Sequence, residues 1–287
     1  MHEEQELAKN VMQPGTSKAI LMMADGKEVV LEQGQNLNIL LNERVRVATS
    51  SQGIVYEEHG KGVVTEEYNK LTTPIGGEYS LVLSDGTKVF LNADSELKYP
   101  VEFSDGKRIV DLKGEAYFEV AKNHSKPFIV KLKNQQITVL GTSFNIQAFN
   151  DDRFSVTTLL SGSILLESFD AQGRKMSSMK LKPNQQARSD NRTGSIFLSE
   201  TDASISNAWV GGKYRFKDET LVSIVKSLEN YYGVNIRLAH DSLRNIRYTG
   251  TFSLDQGIQE VLDIINSEKQ FTFTKDGKDI LISARSK

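Results

Sequence analysis

The sequence predicts a mainly β protein with a small α+β unit at its C-terminal end. From about Lys18 to Leu198, apolar and polar residues alternate in short runs, and this period of two is typical of β-strands. Two apolar patterns with helical spacing appear only after this region, between further short strands. The 287 residues, 38% of them hydrophobic, are enough for about two domains that each bury a core.

Turn signals divide the β-rich region into hairpins. The dipeptide Asp-Gly, a strong hairpin signal, occurs at Asp25, Asp85 and Asp105. The apolar residues around the first turn recur around the second at an offset of 60 positions, and a shorter form recurs 20 positions later. This repetition predicts either stacked β units of the solenoid kind or an ordinary twisted sandwich, and the residues favour neither.

Composition suggests four segments. We expect a flexible lead-in over residues 1–17, a β-rich domain over 18–198, a polar linker over 199–207 and a small α+β domain over 208–285. Residues 43–70 contain clustered glutamates and few large apolar side chains, so we expect an exposed hairpin or loop there. No apolar run reaches the ~18 residues of a membrane-spanning helix, and the acidic N-terminus lacks the pattern of a signal peptide.

The C-terminal region alternates strands with two short amphipathic helices in the order βαββαββ. We expect Asp218 to cap the first helix and Gly233 to end it, and Ser253 and Gln256 have the spacing of a capping box for the second. The apolar positions of the two helices are Leu221, Ile224, Val225, Leu228, Tyr231 and Tyr232, and then Ile258, Val261, Leu262 and Ile265. The predicted strands have a period of two and contain Tyr214 and Phe216, then Val234, Ile236 and Leu238, then Tyr248 and Phe252, then Phe271 and Phe273, then Ile280 and Ile282.

The residue inventory argues against several classes of chemistry. A net charge of −2 gives no excess of positive charge for nucleic acid, and the absence of cysteine excludes disulfides, thiolate metal sites and a cysteine nucleophile. The four histidines are not paired at metal-ligand spacing, and neither a GxSxG elbow nor a phosphate-binding loop is present. We therefore predict no catalytic residue, metal or cofactor.

Glu115 and Glu119 are the carboxylate pair that most resembles a glycosidase site. Four residues apart on one strand, they would lie about 13 Å from each other, whereas glycosidase pairs lie at roughly 5 to 9.5 Å. We therefore expect Ala116, Phe118 and Val120 to face the core, with Glu115, Tyr117 and Glu119 on an outer face.

Aromatic residues gather at the start of the C-terminal domain. Trp209, Tyr214 and Phe216 lie close together in sequence, and Tyr231 and Tyr232 end the first helix. Such a group could form a docking surface for a partner, or it could complete the core of the small domain. The sequence leaves both interpretations open.

Several segments together resemble the FecR family of periplasmic regulators, as found in Bacteroidetes. In order, these are YSLVLSDGTKVFLNADSELKYP (79–100), LKGEAYFEVAKNHSKPFIV (112–130), VLGTSFNI (139–146), TTLLSGSILL (157–166) and LKPNQQA (181–187). The segment NAWVGGKYRFKDETLVSIVKSLENYYGVNI (207–236), followed by YTGTF and the second helix, resembles the C-terminal domain of these proteins. That domain is similar to the short N-terminal (STN) fold of secretins and TonB-dependent transducers.

The resemblance implies a regulator that binds other proteins. FecR-like proteins are anti-sigma factors: a cytoplasmic domain holds an extracytoplasmic-function (ECF) sigma factor, one helix crosses the inner membrane, and the periplasmic part senses the signalling domain of a TonB-dependent, often SusC-like, outer-membrane transducer. The chain would correspond to the periplasmic part, without the cytoplasmic domain and the anchor. It would be neither an enzyme nor a nucleic-acid binder.

The resemblance also suggests where the transducer binds. Exposed edge strands are templates for another chain, so we expect the edge strands of the C-terminal domain, together with the aromatics near Trp209, to form the contact. The candidate partner-binding residues are Trp209, Tyr214, Phe216, Tyr248 and Phe252. Two other functions stay open: a glycan-binding or carbohydrate-processing β protein, and an envelope assembly protein that docks on a secretin.

Overall fold

The computed structural model describes residues 16–32, 37–40, 45–50, 53–58, 67–104 and 106–285. It forms two compact units, one comprising Ser17–Asn207 and the other beginning at Ala208. The predicted flexible lead-in lies outside the described residues, apart from the start of the first strand at Thr16.

The first unit is built almost entirely of strands. In chain order they are β1 (Thr16–Met22), β2 (Glu28–Glu32), β3 (Asn38–Leu40), β4 (Val45–Ser50), β5 (Gly53–Glu58), β6 (Tyr68–Thr73), β7 (Gly77–Val82), β8 (Lys88–Leu91), β9 (Ser95–Pro100), β10 (Arg108–Glu119), β11 (Phe128–Lys131), β12 (Gln135–Val139), β13 (Ser143–Ala148), β14 (Phe154–Ser161), β15 (Ile164–Phe169), β16 (Lys175–Leu181), β17 (Gln185–Asp190) and β18 (Ile196–Glu200).

Strand pairing arranges these strands in two layers that share β10. The first layer has the spatial order β2, β1, β6, β9, the first half of β10, β11, β12, β15 and β16. The second has the order β3, β4, β5, β7, β8, the second half of β10, β13, β14, β17 and β18. From β11 onward, successive hairpins alternate between the layers. The mainly β prediction is confirmed: the two layers also join where β1 pairs with β7, so the described strands form one 18-stranded sheet that resembles a closed barrel.

Apolar residues of both layers meet in one core. The ring of Phe118 stacks on Phe144 within the second layer at 5.1 Å between centroids and contacts Phe128 of the first layer at 6.1 Å. Tyr56 and Tyr99 also meet between the layers, with their hydroxyl oxygens 2.8 Å apart. Burial raises the pKa of Tyr56 to about 12, so this pair is neutral at physiological pH.

Gly114 marks the point where β10 passes from one layer to the other. Its φ of 92° is a left-handed value that favours glycine. A Cβ atom there would lie 2.3 Å from the Ser95 hydroxyl and 2.7 Å from the Asp94 carbonyl oxygen. Glycine is therefore required by both the backbone conformation and the close approach of the neighbouring turn.

The sequence repeat corresponds to a repeated hairpin. Gly26 donates to the Met23 carbonyl, and Gly86 donates to the equivalent Leu83 carbonyl, each at 2.9 Å. Asp25 accepts from the amide of Lys27, and Asp85 accepts from the amide of Thr87, again at 2.9 Å in both turns. The two hairpin predictions are confirmed. The third concerns Asp105, which lies outside the described residues.

Two segments of the first unit differ from expectation. Within the segment predicted as an exposed hairpin or loop, Val45–Ser50 and Gly53–Glu58 pair as β4 and β5, but Val45, Val47, Ile54 and Tyr56 are buried on one face. Of the glutamates on which that expectation rested, Glu57 is exposed and Glu67 is half-buried. Within the predicted linker, β18 continues to Glu200 and a 3-10 helix covers Ala203–Ile205, with Ala203 buried.

The second unit contains every element predicted for it, in the predicted order. A 3-10 helix (Ala208–Gly211) precedes β19 (Lys213–Thr220), α1 (Leu221–Tyr232), β20 (Asn235–Leu238), a 3-10 turn (Asp241–Leu243), β21 (Arg247–Ser253), α2 (Ile258–Ile265), β22 (Phe271–Asp276) and β23 (Asp279–Ala284). β19 and β21 form a two-stranded sheet, and β20, β23 and β22 form a three-stranded one. The apolar helix positions are buried, except for the half-buried Tyr231.

The predicted N-terminal caps of α1 and α2 are wrong, whereas the predicted C-terminal end of α1 is confirmed. Gly233 ends α1 in the left-handed conformation, as predicted. Asp218 is not the cap of α1, because Thr220 occupies that position and Asp218 lies two residues earlier with a φ of 49°. Ser253 does donate its amide to the Gln256 side chain, but this bond closes the turn before α2, which starts at Ile258 after Gly257.

Candidate partner-binding surface

The ribbon formed by β19 and β21 contains four of the five predicted partner-binding residues. Its strands are antiparallel, with Tyr214 opposite Phe252 and Phe216 opposite Gly250. A bulge follows Phe216, after which Glu219 lies opposite Tyr248. Because side chains alternate along a strand, the ribbon has an inner face with the aromatic residues and an outer face with polar ones.

The inner face holds a compact aromatic cluster. The Tyr214 and Phe252 rings stack at 5.2 Å, and Phe216 lies 6.1 to 6.2 Å from both. Gly250 makes room for this arrangement, since a Cβ atom there would approach the Phe216 ring to 3.1 Å. Phe216 and Phe252 are buried, whereas Tyr214 is half-buried.

Trp209 and Tyr248 differ in exposure. Trp209 is buried in the 3-10 helix that precedes β19. Tyr248 is half-buried, and its buried hydroxyl has no hydrogen-bond partner among the described residues. Burial raises the pKa of Tyr248, and the negative charge of Glu268 raises it further. Trp209, Phe216 and Phe252 therefore support the ribbon from within, and Tyr214 and Tyr248 are partly accessible.

Tyr231 and Tyr232, at the end of α1, form hydrogen bonds with the turn between β21 and α2. The Tyr231 hydroxyl donates to the Leu254 carbonyl at 3.2 Å, and the Tyr232 hydroxyl donates to the Gln256 carbonyl at 2.8 Å. Burial raises the pKa of Tyr232, with smaller contributions from Asp255 and Glu260. These contacts fix the position of β21 against the helix.

The bulge in β19 is held in place by β21. The amide of Asp218 donates to the Thr249 hydroxyl at 2.9 Å, and Arg247 donates to the Asp218 carbonyl. The Arg247 guanidinium also lies 3.2 Å from the Asp218 carboxylate. A left-handed φ costs a non-glycine residue of order 1–3 kcal/mol, and these contacts offset that cost.

The outer face of the ribbon is exposed and basic. Lys213, Arg215 and Lys217 alternate along β19, and Arg247 lies at the start of β21. All four side chains are exposed, as are Thr249 and Thr251 between them. This basic face was not among the predicted sites, although the alternation of basic and aromatic residues in KYRFK indicates it.

Glu115 is buried in the first unit, although the sequence predicted it on an outer face. Ala116 and Phe118 face the core as predicted, but Glu115 is buried on the other face of the strand rather than exposed. The side-chain amides of Asn92, Asn145 and Gln147 donate to its carboxylate at 2.9 to 3.0 Å. Burial raises the pKa of Glu115, and the three hydrogen bonds offset only part of that rise. Glu119, in contrast, is exposed.

Arg108 forms a second buried charged site. Its side chain is 2% exposed and donates to the Asp85 carboxylate at 2.7 Å and to the Ala121 carbonyl at 2.8 Å. Its Nε atom donates to the Lys126 carbonyl at 2.9 Å. The Asp-Gly turn of the β7–β8 hairpin is thereby joined to the start of β10. The contacts of Glu115 and Arg108 each join segments that are distant in the sequence.

A polar cavity of about 240 Å³ lies among three loops of the first unit. Asn191 links two of the surrounding segments: its side-chain amide donates to the Asp152 carbonyl, and its side-chain oxygen accepts from the Gln135 side chain. Lys133, Asp151 and Arg192 are among the lining side chains.

Neither a metal site nor a membrane helix is evident in the residues that the structure describes. No group of three or more His, Asp or Glu side chains there is arranged to hold a metal ion. No helix among the same residues is long and apolar enough to cross a membrane.

Comparison with known protein families finds a match within each unit. Residues 69–165 match the family described as FecR protein, and residues 213–282 match the family described as FecR, C-terminal. Together the matches cover more than half of the chain. The chain belongs to the FecR family of anti-sigma regulators. The β19–β21 ribbon lies within the FecR C-terminal match.

Solved structures agree with this family assignment. Two crystal structures of a "putative anti-sigma factor" from Parabacteroides distasonis ATCC 8503, at 1.65 and 2.50 Å resolution, are each 28% identical to this FecR-family chain, with a TM-score of 0.68. Each match covers 76% of this chain and 99% or 100% of the other. None of the curated proteins matches the sequence.

Proposed function

We propose that this FecR-family chain is the periplasmic sensory portion of an anti-sigma factor. In this proposal it binds the signalling domain of a TonB-dependent, SusC-like outer-membrane transducer and relays the signal to an ECF sigma factor. Its C-terminal unit, which we take to be STN-like, provides the contact. The protein acts by binding, without catalysis and without a cofactor.

The free edge of β21 is the observation that carries this proposal. β19 occupies one side of β21, and no described strand pairs with the other. Leu254 donates to Gly212 across the ribbon, so the alternation of an antiparallel pair directs the N–H and C=O of Thr251 away from β19. Such an edge can accept an extended segment as an additional strand.

The predicted residues then divide into two roles. Tyr214 and Tyr248, which are half-buried, are available to the partner directly. Trp209, Phe216 and Phe252 are buried and hold the ribbon in shape. The partner would therefore contact mainly the β21 backbone and the outer face of the ribbon, and the aromatic side chains to a smaller extent.

Titration of the full chain with the signalling domain of the transducer encoded beside it tests the proposal. We expect saturable one-to-one binding by calorimetry. Thr251→Pro removes an N–H from the free edge without breaking the pairing to β19, so it should weaken binding by about tenfold or more. Thr251→Val keeps the N–H and should bind normally. Equal binding by a folded Thr251→Pro protein would contradict strand addition at β21.

The polar cavity favours glycan binding as a second candidate function. Its lining of asparagine, aspartate, lysine and arginine offers both donors and acceptors for hydroxyl groups. Saturable sugar binding by the isolated chain would support this function, whereas the sensor does not require it.

A further inference from the structure

Basic side chains line the outer face of the ribbon in the second unit. The four cations of this face are Lys213, Arg215, Lys217 and Arg247. Four acidic residues, Asp255, Glu260, Asp263 and Glu268, lie on α2 and its flanks, and the two acids of β19 are confined to its bulge. At the bulge, Asp218 pairs with Arg247, and Glu219 is half-buried opposite Tyr248. No described ion pair involves Lys213 or Lys217, so their charges are available to a partner.

We propose that the outer face of the ribbon recognises an acidic, extended segment of the partner protein, which is added as a strand along β21. This inference rests on the proposed function and specifies the chemistry of the partner. Cations two residues apart on a strand are about 6.6–6.8 Å apart, the same repeat as alternate side chains of an extended peptide. Acidic side chains at every second position of the segment therefore project over the face that Lys213, Lys217 and Arg247 share.

A protein segment fits this face better than a nucleic acid or a membrane. The whole chain has a net charge of −2, so it lacks the broad positive field that attracts a phosphate backbone or an anionic bilayer. The basic face is also a narrow ribbon beside a strand edge. Backbone hydrogen bonds at that edge supply affinity, and the charges select the sequence and steer the encounter.

A double charge reversal tests the proposal in the full chain. Lys213→Glu with Lys217→Glu places acids on the outer face and changes neither an aromatic residue nor the three residues, Asp218, Arg247 and Thr249, whose contacts hold the bulge. We expect this variant to bind the signalling domain about tenfold or more weakly at low salt, and the salt dependence of binding to decrease. The matched control reverses Arg237 and Lys278, which are exposed cations away from the ribbon, and should bind within about twofold of wild type.

The outcomes separate this inference from the proposed function. Tight binding by the double variant with unchanged salt dependence overturns the acidic-segment proposal and leaves the sensor function standing. If the wild-type chain does not bind the signalling domain, the proposed function fails. A peptide of alternating glutamate and threonine then serves as the probe, and its failure to bind wild type at low salt overturns this inference too. Binding to anionic vesicles or duplex DNA instead of either protein probe also overturns it.

Discussion

Replacing Asp85 with alanine should lower the free energy of unfolding of the first unit by about 3–5 kcal/mol. The Arg108 side chain is 2% exposed, and its Nη1 atom lies 2.7 Å from the Asp85 carboxylate. Removing that carboxylate leaves a buried cation without its counter-charge, which is costly in a protein interior. Urea unfolding of the full chain, followed by circular dichroism, measures the loss. Fluorescence of Trp209, the single tryptophan, shows whether the second unit stays folded.

Asp25 provides the matched control for that experiment. It occupies the same position in the equivalent β1–β2 turn and accepts the same local hydrogen bond, but it is exposed. Asp25→Ala should cost only roughly 0.5–1.5 kcal/mol. Equal losses at the two positions would show that turn formation matters at Asp85 and the ion pair with Arg108 does not.

Replacing Glu115 with alanine should also destabilise the first unit, by about 3–5 kcal/mol. The side-chain amides of Asn92, Asn145 and Gln147 would lose their acceptor. Asn145 is buried, so its unsatisfied donor costs about 1–3 kcal/mol, whereas Asn92 and Gln147 are half-buried and each lose a hydrogen bond of roughly 0.5–1.5 kcal/mol. Glu119→Ala, four residues along the same strand and exposed, should stay within about 0.5 kcal/mol of wild type. A small loss of unfolding free energy in Glu115→Ala would mean that water accepts the hydrogen bonds of the three amides in place of the carboxylate.

The same residue predicts a pH dependence. Burial raises the pKa of Glu115 above its ordinary value of 4.5, so the folded state binds this proton more tightly than the unfolded state. Its contribution to stability is therefore greatest below pH 4.5 and declines as the pH rises through the raised pKa. Glu115→Gln removes the titrating group, so the variant should lack this decline. An identical pH profile for wild type and Glu115→Gln would contradict the shift.

Local patterns predicted the elements of the fold well. The Asp-Gly turns, the helical spacing from Leu221 to Tyr232 and the left-handed Gly233 depend on residues close in sequence. The alternation of hairpins between two layers depends on contacts between distant strands, such as Phe118 with Phe128. No local pattern contains that information, so sandwich and solenoid could not be separated.

The positions of the ribbon strands were predicted from the sequence, but the exposure of their side chains was not. Alternation located β19 and β21 and their aromatic residues correctly. Burial of Phe216 and Phe252 depends on Gly250 and on the register between the strands, which the sequence does not reveal. Glu115 illustrates the same limit, because its acceptance of three amides from other strands or turns cannot be read from the segment GEAYFEV.

Hydrogen exchange on the full chain, with and without the signalling domain, tests the central claim most directly. If the ribbon is the contact, amides in Arg247–Ser253 should gain protection on binding, most strongly at Thr251, and those of the β16 and β18 strands should not change. Protection confined to the first unit, with the ribbon unchanged in a saturated complex, would contradict the proposal that this FecR-family chain senses its partner through β21.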